Sequence, residues 1–348
     1  MKIKEGCVVI RISDIQPHGN ADRLEIVVVN GWQVIVQRGA YKAGDLALYI
    51  PMDSVLPPWL EAKLFPPDSK IKLTNSRVRC AKIRGVASFG MLVPQDVLEF
   101  PLVEGVDHGE TLNILAWEPE EEEGMIDPAK GASVVKKKAK IKQLRYIDIV
   151  NLRNCPNSFT EGDWVYISAK LHGTSVRFGY FPVVVKSFLH RFFMWLGIMK
   201  KTRWMVGSRN TEVAETSTYG RHASEWRSKL RSNDIVFGEI VGPKIQKGYH
   251  YGCRNGETAF YAYDVMVDGK FLGFVDFKLW CDVRGVPRVP ELGVFPYKAG
   301  LEKALADSPV CLNGQQTREG VVIKTMDGRV VRKYVSDAFL LAKNTGFH

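Results

Sequence analysis

The stretch that decides the fold is Lys170-Leu171-His172-Gly173-Thr174. It is flanked by two apolar stretches, Trp164-Val165-Tyr166-Ile167 and Val176-Arg177-Phe178, and both are typical of β-strands. A lysine at the end of a strand, followed by a glycine turn, can direct its amine into a pocket. Lysine becomes a good covalent nucleophile when burial or neighbouring cations lower its pKa. An ordinary turn after a strand has the same pattern, so the meaning of this one depends on the rest of the chain.

The composition is that of a globular protein with an excess of basic residues. The chain has 348 residues, of which 45% are hydrophobic and 25% charged, and this length favours two domains with full cores. The net charge of +10 favours a polyanionic partner, with nucleic acid ahead of an anionic membrane surface. The six cysteines are scattered without metal-ligand spacing, which favours reduced thiols in the cytoplasm. No signal-peptide core or bilayer-length apolar segment is present, so we expect no membrane association.

Residues 1–115 are rich in short predicted strands separated by glycine turns. Asn30-Gly31 is typical of a tight hairpin turn between two of them. The pattern favours a small closed barrel, although it does not separate a barrel from a sandwich. The predicted strands are Val8–Ile12, Leu24–Val29, Trp32–Val36, Leu46–Ile50, Val78–Ile83 and Gly90–Val93.

Two segments interrupt the predicted domains. Residues 116–145 contain an acidic run, 118–123, and a lysine run, 136–140, which indicate a charged linker. The lysine run is either solvated or a strip that contacts phosphates. Residues 187–201 have helical apolar spacing with basic flanks and form either a packed helix or a mobile lid, with a membrane-surface helix as a further alternative. We therefore predict domains at 1–115 and 146–348.

Four further clusters follow Lys170 in order. An arginine follows a glycine turn, a carboxylate lies at a strand end, an aromatic strand ends in an acid, and a second carboxylate precedes two basic strands. Together they supply cations for a triphosphate, an aromatic surface for a base, and carboxylates for ribose or metal. The clusters are Val206–Asn210, Phe237–Pro243, Phe260–Asp264, and Glu319–Lys324 with Val330–Tyr334.

This ordered set resembles the motifs of the covalent nucleotidyltransferases. The Lys-Leu-His-Gly-Thr form and residues 238–252 are similar to ATP-dependent RNA ligases of the phage double-strand-repair type. The front of the chain, from Asn20 to Leu24 and from Asp53 to Pro57, resembles the N-terminal OB-like module of the Deinococcus-type RNA ligases. The resemblance implies an α+β protein in which an OB-like, nucleic-acid-binding barrel precedes a nucleotidyltransferase domain of ATP-grasp-like antiparallel sheets with helices.

The resemblance also implies a reaction. Lys170 would attack the α-phosphate of ATP to form lysyl-AMP, AMP would pass to an RNA 5′-phosphate, and a 3′-hydroxyl would then displace AMP. Mg²⁺ is the expected metal, with Mn²⁺ as an alternative, because phosphates and carboxylates are hard oxygen donors. The expected partner is RNA, as a nicked duplex or RNA/DNA hybrid ends in RNA repair, with no obligate protein partner. The expected compartment is the cytoplasm, that of the host if a phage encodes the protein.

The resemblance assigns roles residue by residue. Glu239 contacts ribose or metal, Glu319 coordinates metal, and Lys324 and Lys333 contact the α-phosphate. Arg209 grips phosphate or ribose, and Tyr263 stacks on adenine unless Phe260 or Tyr261 faces inward instead. The remaining members of the expected nucleotide site are His172, Gly173, Ser175, Asp264 and Arg332. Asp264 could instead be structural, and His172 could only shape the turn.

Three features depart from the family pattern. Ser175 replaces a common asparagine, which puts a ribose contact in doubt. Val335 replaces a second lysine, so either one phosphate contact is missing or Arg332 supplies it. No C-terminal OB domain follows, which disfavours a DNA ligase or a capping enzyme. Two alternatives stay open: a non-catalytic RNA-binding protein on a degenerate nucleotidyltransferase fold, and an RNA guanylyltransferase.

Overall fold

The computed structural model describes residues 2–29, 31–69, 72–117, 146–147, 149–183, 202–209, 211–246, 248–254, 256–308 and 317–344. The chain forms two compact units, Met1–Val134 with Leu340–Phe347, and Val135–Phe339. Almost all of the predicted linker, 116–145, and all of the predicted helix or lid, 187–201, lie outside the described residues. The domain bounds at 115 and 146 therefore stay predictions.

The first unit is built from short antiparallel strands and one described helix, α1 (Pro58–Leu64). The sheets have the orders β1-β5-β9, β2-β3-β4, β10-β6 and β7-β8. The strands are β1 Val8–Arg11, β2 Ile15–Pro17, β3 Leu24–Val29, β4 Trp32–Gln37, β5 Leu46–Ile50, β6 Ser54–Val55, β7 Ala81–Ile83, β8 Val86–Ser88, β9 Met91–Val93 and β10 Leu115–Ala116.

The alternation of β5 explains how this unit builds two cores. Leu48 and Ile50 enter one apolar cluster, whereas Ala47 and Tyr49 enter the other. Successive side chains of a strand point to opposite faces, so an apolar residue at every position lets one strand serve both clusters. Leu340, near the C-terminus, packs against the second cluster.

The second unit contains two antiparallel sheets and four described helices. Sheet one has the order β17-β11-β18-β19, and sheet two has the order β13-β12-β14-β15-β16. The strands are β11 Trp164–Lys170, β12 Thr174–Pro182, β13 Thr202–Gly207, β14 Ile235–Val241, β15 Ala259–Val267, β16 Lys270–Phe271, β17 Glu291–Pro296, β18 Gly320–Thr325 and β19 Val331–Val335. The α-helices are α2 Thr218–Ser224, α3 Phe274–Arg284, α4 Leu301–Ala306 and α5 Asp337–Asn344, of which the residues from Leu340 onward belong to the first unit.

Each sheet buries one face in its own core. In sheet one, Ile167 and Ile323 are directly opposite each other and lie in the same apolar cluster. In sheet two, Val176 and Ala262 lie in a second cluster, to which α3 adds Phe277, Trp280 and Cys281. The polar residues at alternate positions therefore lie on the other faces, where the predicted site residues are concentrated.

A short segment before β17 connects the two sheets. The Val289 amide donates to the Ala262 carbonyl of sheet two, and the Ala169 amide donates to the Pro290 carbonyl of sheet one. These two main-chain hydrogen bonds, both 2.8–2.9 Å long, fix the sheets against each other. The structure thus confirms the predicted α+β class. In the described ranges, no helix combines the length and apolar character needed to cross a membrane.

Candidate active site

The turn after β11 brings Lys170 against Glu319. Lys170 is the last residue of β11 and pairs with Gly320, the first residue of β18. Glu319 directly precedes Gly320 and therefore lies beside Lys170. The Lys170 Nζ atom is 2.6 Å from Glu319 Oε1, and the two side chains are 26% and 10% exposed. The other oxygen, Glu319 Oε2, is buried, accepts no hydrogen bond from the described residues and lies 3.7 Å from His172 Nδ1.

Close backbone packing explains the glycine of the motif. A Cβ atom on Gly173 would lie 2.3 Å from the Ile240 carbonyl oxygen, which is far inside van der Waals contact. Only glycine therefore lets the turn approach β14 at this point. The next residues of the turn enter β12, where Ser175 pairs with Glu239 of β14. The spacing of the motif thus brings Lys170, Glu319 and Glu239 into one electrostatic unit.

The charges of this unit are strongly coupled. Burial lowers the pKa of Lys170, but the carboxylates of Glu319 and Glu239 outweigh it, so the pKa is raised. The amine is therefore held as an ammonium in the free protein, contrary to the expectation of a lowered pKa. Burial raises the pKa of Glu239 to about 8, even though Lys170 acts in the opposite direction. The pKa values of Lys170 and Glu239 are therefore both displaced from their ordinary values, which is typical of functional sites.

A β-bulge lies beside the aromatic residue that contacts Ser175. The register between β14 and β15 shifts between Phe237 and Gly238, which leaves Tyr263 without a directly opposite residue on β14. Phe260 and Ala262 face the core, and the Tyr263 hydroxyl lies 2.9 Å from the Ser175 hydroxyl. Ser175 is directly opposite Glu239, so the structure brings Tyr263 to the same face as the two predicted site residues.

Lys324 is engaged by a different partner from the one expected. Its ammonium donates to Asp264 Oδ2 at 2.9 Å and to the Tyr263 carbonyl at 2.8 Å. Burial lowers the pKa of Lys324, but Asp264 more than offsets it and the pKa is raised. The side chain is only 4% exposed. Lys324 therefore links β18 to β15 and holds the Tyr263 carbonyl, while its contact with an α-phosphate stays a prediction.

Strand register separates two basic neighbours on β19. Lys333 pairs with Val322, which pairs with Ser168, so Lys333 lies on the face that carries Lys170 two residues further along β11. Arg332 pairs with the core residue Ile323 and donates from Nε to the Ser158 hydroxyl at 2.8 Å. The structure therefore does not bring Arg332 to the site, because a shift of one residue reverses the face. Val335 is in the same row as Gly320 and Lys170.

Two arginines lie near the end of β13. Arg209 is exposed and follows Gly207, the pairing partner of Arg177. Arg177 is fully buried, and none of its guanidinium nitrogens has a hydrogen-bond partner within the described part of the chain. Burial lowers the pKa of Arg177, and Arg209 lowers it further, so the two cations are electrostatic neighbours. The apolar residues on either side of Arg177 give no sign that its charge is buried.

Tyrosines that the sequence analysis did not single out complete the site. The Tyr251 hydroxyl accepts the His172 amide at 2.7 Å, and the Tyr219 hydroxyl lies 2.8 Å from that of Thr174. Tyr146 donates to Asp264 Oδ2 at 2.6 Å, and its ring meets that of Tyr263 edge-on at 5.3 Å. Tyr251 belongs to the stretch that resembles RNA ligases, which was the one available signal for these residues.

The two carboxylates fit a divalent metal. The described residues contain no cluster of three or more histidine, cysteine or acidic side chains with metal-binding geometry. Mg²⁺ requires no such cluster, because one or two carboxylates together with substrate phosphates and water complete its shell. The buried Glu319 Oε2 atom, which accepts no hydrogen bond from the residues described, supplies a hard donor in this place. Glu239 and Glu319 are therefore a suitable donor pair for an ion that also contacts phosphate.

Several solved structures are similar to this protein over nearly the whole chain. Three structures of Naegleria gruberi RNA ligase are each 25% identical and cover 96% of this chain and 97% of that chain. They are a lysine-to-alanine variant with ATP and Mn (TM-score 0.73), a glutamate-to-alanine variant with ATP and Mn (0.72), and the ligase with PPi (0.72). No curated protein matches the sequence.

Two family models match separate parts of the chain. An OB-fold domain model matches residues 7–95, which contain β1–β9. An RNA ligase model matches residues 163–335, which contain Lys170, Glu239, Glu319 and Lys333. The chain therefore contains an RNA ligase domain at residues 163–335, preceded by an OB-fold domain at residues 7–95.

Proposed function

We propose that this protein is an ATP-dependent RNA ligase that joins a 3′-hydroxyl RNA end to a 5′-phosphate end in RNA repair. The observation that carries the proposal is the contact of Lys170 with Glu319 at 2.6 Å, beside Glu239. Lys170 lies beside two acids, and Tyr263 presents an aromatic ring on the face that carries one of them, Glu239. This combination suits attack on a nucleotide phosphate. The similar Naegleria gruberi structures with ATP, Mn and PPi support the same nucleotide and metal.

The first step is attack by Lys170 on the α-phosphate of ATP. The lysine nitrogen forms a bond to phosphorus, the bond to the bridging oxygen of pyrophosphate breaks, and the amine loses its proton. Lys170 can react only as the free amine, so its raised pKa must fall first. The carboxylates of Glu239 and Glu319 hold that pKa up. When the two carboxylates bind another cation, burial has the larger effect, the pKa of Lys170 falls and the amine can lose its proton.

The later steps transfer AMP and then expel it. An oxygen of the RNA 5′-phosphate displaces the lysine nitrogen from phosphorus, which gives RNA adenylate and restores Lys170. The 3′-hydroxyl then attacks the 5′-phosphate, and AMP leaves. Each step is a displacement at phosphorus, where positioning and charge neutralisation supply most of the catalysis.

The remaining residues are assigned by position. Tyr263, held by Ser175 and Lys324, offers its ring to adenine. Lys333 and Arg209 are the cations for phosphate and ribose, whereas His172 and Gly173 shape the turn beside Lys170. Glu239 and Glu319 would hold Mg²⁺ or Mn²⁺, which supplies charge neutralisation for the phosphates. Arg332 is left out because it lies on the opposite face, and Lys324 with Asp264 positions Tyr263.

RNA is the proposed nucleic-acid partner. The net charge of +10 suits a polyanion, and the OB-fold domain, for which we keep the bounds 1–115, is of a kind that often binds oligonucleotides. We propose a nicked duplex or an RNA/DNA hybrid as the substrate. Binding that depends on phosphate contacts loses affinity steeply with added salt. We place the protein in the cytoplasm because its six cysteines are scattered without metal-ligand spacing, which favours reduced thiols.

The decisive experiment follows label from ATP to the chain. The protein is incubated with α-labelled ATP or GTP and Mg²⁺, denatured, and inspected for covalent label. We expect labelling from ATP alone, lost in Lys170→Ala and in Lys170→Arg, which keeps the charge but not the nucleophile. Label retained in either variant would remove Lys170 from this role, and labelling from GTP alone would favour an RNA guanylyltransferase.

A second assay tests the joining reaction. Nicked duplexes carry RNA or DNA on each side of the break, with a 3′-hydroxyl and a 5′-phosphate. We expect sealing of the 3′-hydroxyl RNA end. No label and no sealing, with binding to RNA intact, would favour a non-catalytic RNA-binding protein on the same fold.

A further inference from the structure

A cavity beside the site has no part in the nucleotide chemistry proposed above. It has a volume of about 460 Å³ and lies between the loop that follows β14 and the first residues of β15. It is open to solvent, and the residues that line it include Tyr251, Cys253, Glu257, Thr258 and Tyr261.

The cavity connects to the catalytic turn in two ways. Tyr261 is directly opposite Glu239 on the neighbouring strand, so their side chains share one face of sheet two. The Tyr251 hydroxyl accepts the backbone amide of His172, two residues after Lys170. Residues that line the cavity are therefore joined to the Lys170 turn by one hydrogen bond and to Glu239 by one strand pair.

The wall of the cavity suits a ring that carries hydroxyl groups. Burial raises the pKa values of the Tyr261 phenol and the Cys253 thiol, which keeps both groups neutral. Glu257 contributes the one formal charge among the lining residues, and its Oε2 atom already accepts the Arg254 amide at 3.0 Å. A carboxylate accepts hydrogen bonds from hydroxyls and repels phosphates. Aromatic rings stack on bases of any sequence.

A cation lies at the rim of the cavity rather than in it. Lys244 is exposed, and its Nζ atom would be 3.7 Å from a Cβ placed on Gly256, in the same loop as Glu257. A ligand with a neutral sugar inside and a phosphate at its outer end matches this order of charges. The terminal nucleoside of an RNA strand with a free 3′-hydroxyl has that form.

We propose that this cavity binds the 3′-terminal nucleoside of the RNA strand that supplies the attacking hydroxyl. The base would stack on Tyr261. Glu257 and the Thr258 hydroxyl, which lies 2.8 Å from His222 Nε2, would accept hydrogen bonds from the terminal ribose hydroxyls. The other end of the break is a poorer ligand, because its terminal nucleoside carries a 5′-phosphate that the Glu257 carboxylate repels. The inference rests on the proposed ligase function and assigns the acceptor strand to a place in it.

The test isolates the last step of joining. A strand that already carries 5′-adenylate is sealed to an acceptor ending in either a ribonucleotide or a 2′-deoxynucleotide, with the concentration of acceptor varied. We expect the wild-type protein to prefer the ribose end. Glu257→Gln keeps an acceptor for the Arg254 amide but removes the charge, so the preference should fall about 10-fold, as a lost hydrogen bond to a charged group predicts.

Matched variants separate this effect from general damage. Glu215→Gln changes an exposed carboxylate that is paired with Arg227 and should keep the wild-type preference. Thr258→Val should reduce the preference for a ribonucleotide end over a 2′-deoxynucleotide end, as Glu257→Gln does. Tyr261→Leu should weaken binding of both acceptors about 10-fold, whereas Tyr261→Phe should not, because stacking needs only the ring.

The outcomes also separate this inference from the proposed function. Glu257→Gln and Thr258→Val should still form lysyl-AMP from ATP at the wild-type rate, which also shows that they fold. If they do so and keep the full ribose preference, or if the wild-type protein has no such preference, the cavity is not the acceptor site although the ligase function stands. If the wild-type protein forms no lysyl-AMP, the proposed function itself fails.

Discussion

One oxygen of Glu319 holds the amine of Lys170 at 2.6 Å, while the other oxygen is buried and accepts no hydrogen bond from the described part of the chain. The same carboxylate therefore holds Lys170, the proposed nucleophile, as an ammonium and leaves its second oxygen available to the proposed metal ion. Because Glu239 acts on Lys170 in the same direction, the resting state is charged and unreactive. Reactivity then depends on what engages the two acids, which ties the chemistry of the amine to binding.

Removing the charge of Glu319 should make Lys170 more reactive towards a small electrophile. In Glu319→Gln the burial that lowers the pKa of Lys170 is opposed by Glu239 alone, so more free amine is present near neutral pH. We expect faster modification of Lys170 by cyanate, measured by mass spectrometry of peptides at about pH 7.5 without nucleotide. Glu104→Gln, an exposed acid paired with Arg11, is the control. An unchanged rate at Lys170 in Glu319→Gln would show that Glu319 does not set its pKa.

The raised pKa of Glu239 predicts how stability depends on pH. An unperturbed glutamate has a pKa of 4.5, whereas the pKa of Glu239 in the folded protein is about 8, so the folded state binds the proton more tightly than the unfolded state. Between about pH 4.5 and 8 the unfolded state binds fewer protons, and the contribution of Glu239 to the free energy of unfolding therefore falls as pH rises. The measurement is urea unfolding without metal at about pH 5.5 and about pH 8, in wild type and Glu239→Gln. The wild type should lose more stability over this interval than the variant; equal losses would contradict the assignment.

The buried pair of Lys324 and Asp264 should be important for stability. Lys324→Met leaves the Asp264 carboxylate, 9% exposed, without its cation, and breaking a buried pair in this way costs about 3–5 kcal/mol. Thermal and urea unfolding should show this loss. Lys63→Ala is the control, because its partner Glu99 is 87% exposed and such pairs contribute about 0–1 kcal/mol. If both variants lose the same small amount, Lys324 is free to serve another role.

Much of the local structure follows from the sequence. The predicted strands Leu24–Val29 and Leu46–Ile50 have the observed bounds, because continuous β-branched and aliphatic runs between turn residues leave little choice. The glycine turn after Lys170 and the order of motifs place Glu239 and Glu319 near the amine. The predicted strand Val78–Ile83 is shorter in the structure, where only Ala81–Ile83 is paired.

Tertiary pairing decides what local patterns could not. Lys324 contacts Asp264, which is 60 residues away in the sequence, and no local sequence pattern predicts that contact. Alternation leaves both Tyr261 and Tyr263 on the face opposite the core residues Phe260 and Ala262, and only the tertiary contact with the Ser175 hydroxyl singles out Tyr263. Arg332 and Lys333 are both basic, so composition could not separate them, whereas the register of β19 against β18 does.

The register of β19 against β18 predicts different effects for substitutions at Lys333 and Arg332. Lys333 lies on the face of Lys170, and Arg332 lies on the core side, where it donates to Ser158. Lys333→Ala should therefore slow lysyl-AMP formation about 10- to 100-fold, as expected for a lost hydrogen bond between a charged group and phosphate, with the midpoint of thermal unfolding unchanged. Arg332→Ala should lower that midpoint and leave the rate at a temperature well below it unchanged. Both rates are measured with α-labelled ATP in single turnover. A rate loss in Arg332→Ala as large as that in Lys333→Ala would show that the phosphate site uses the other face of β19.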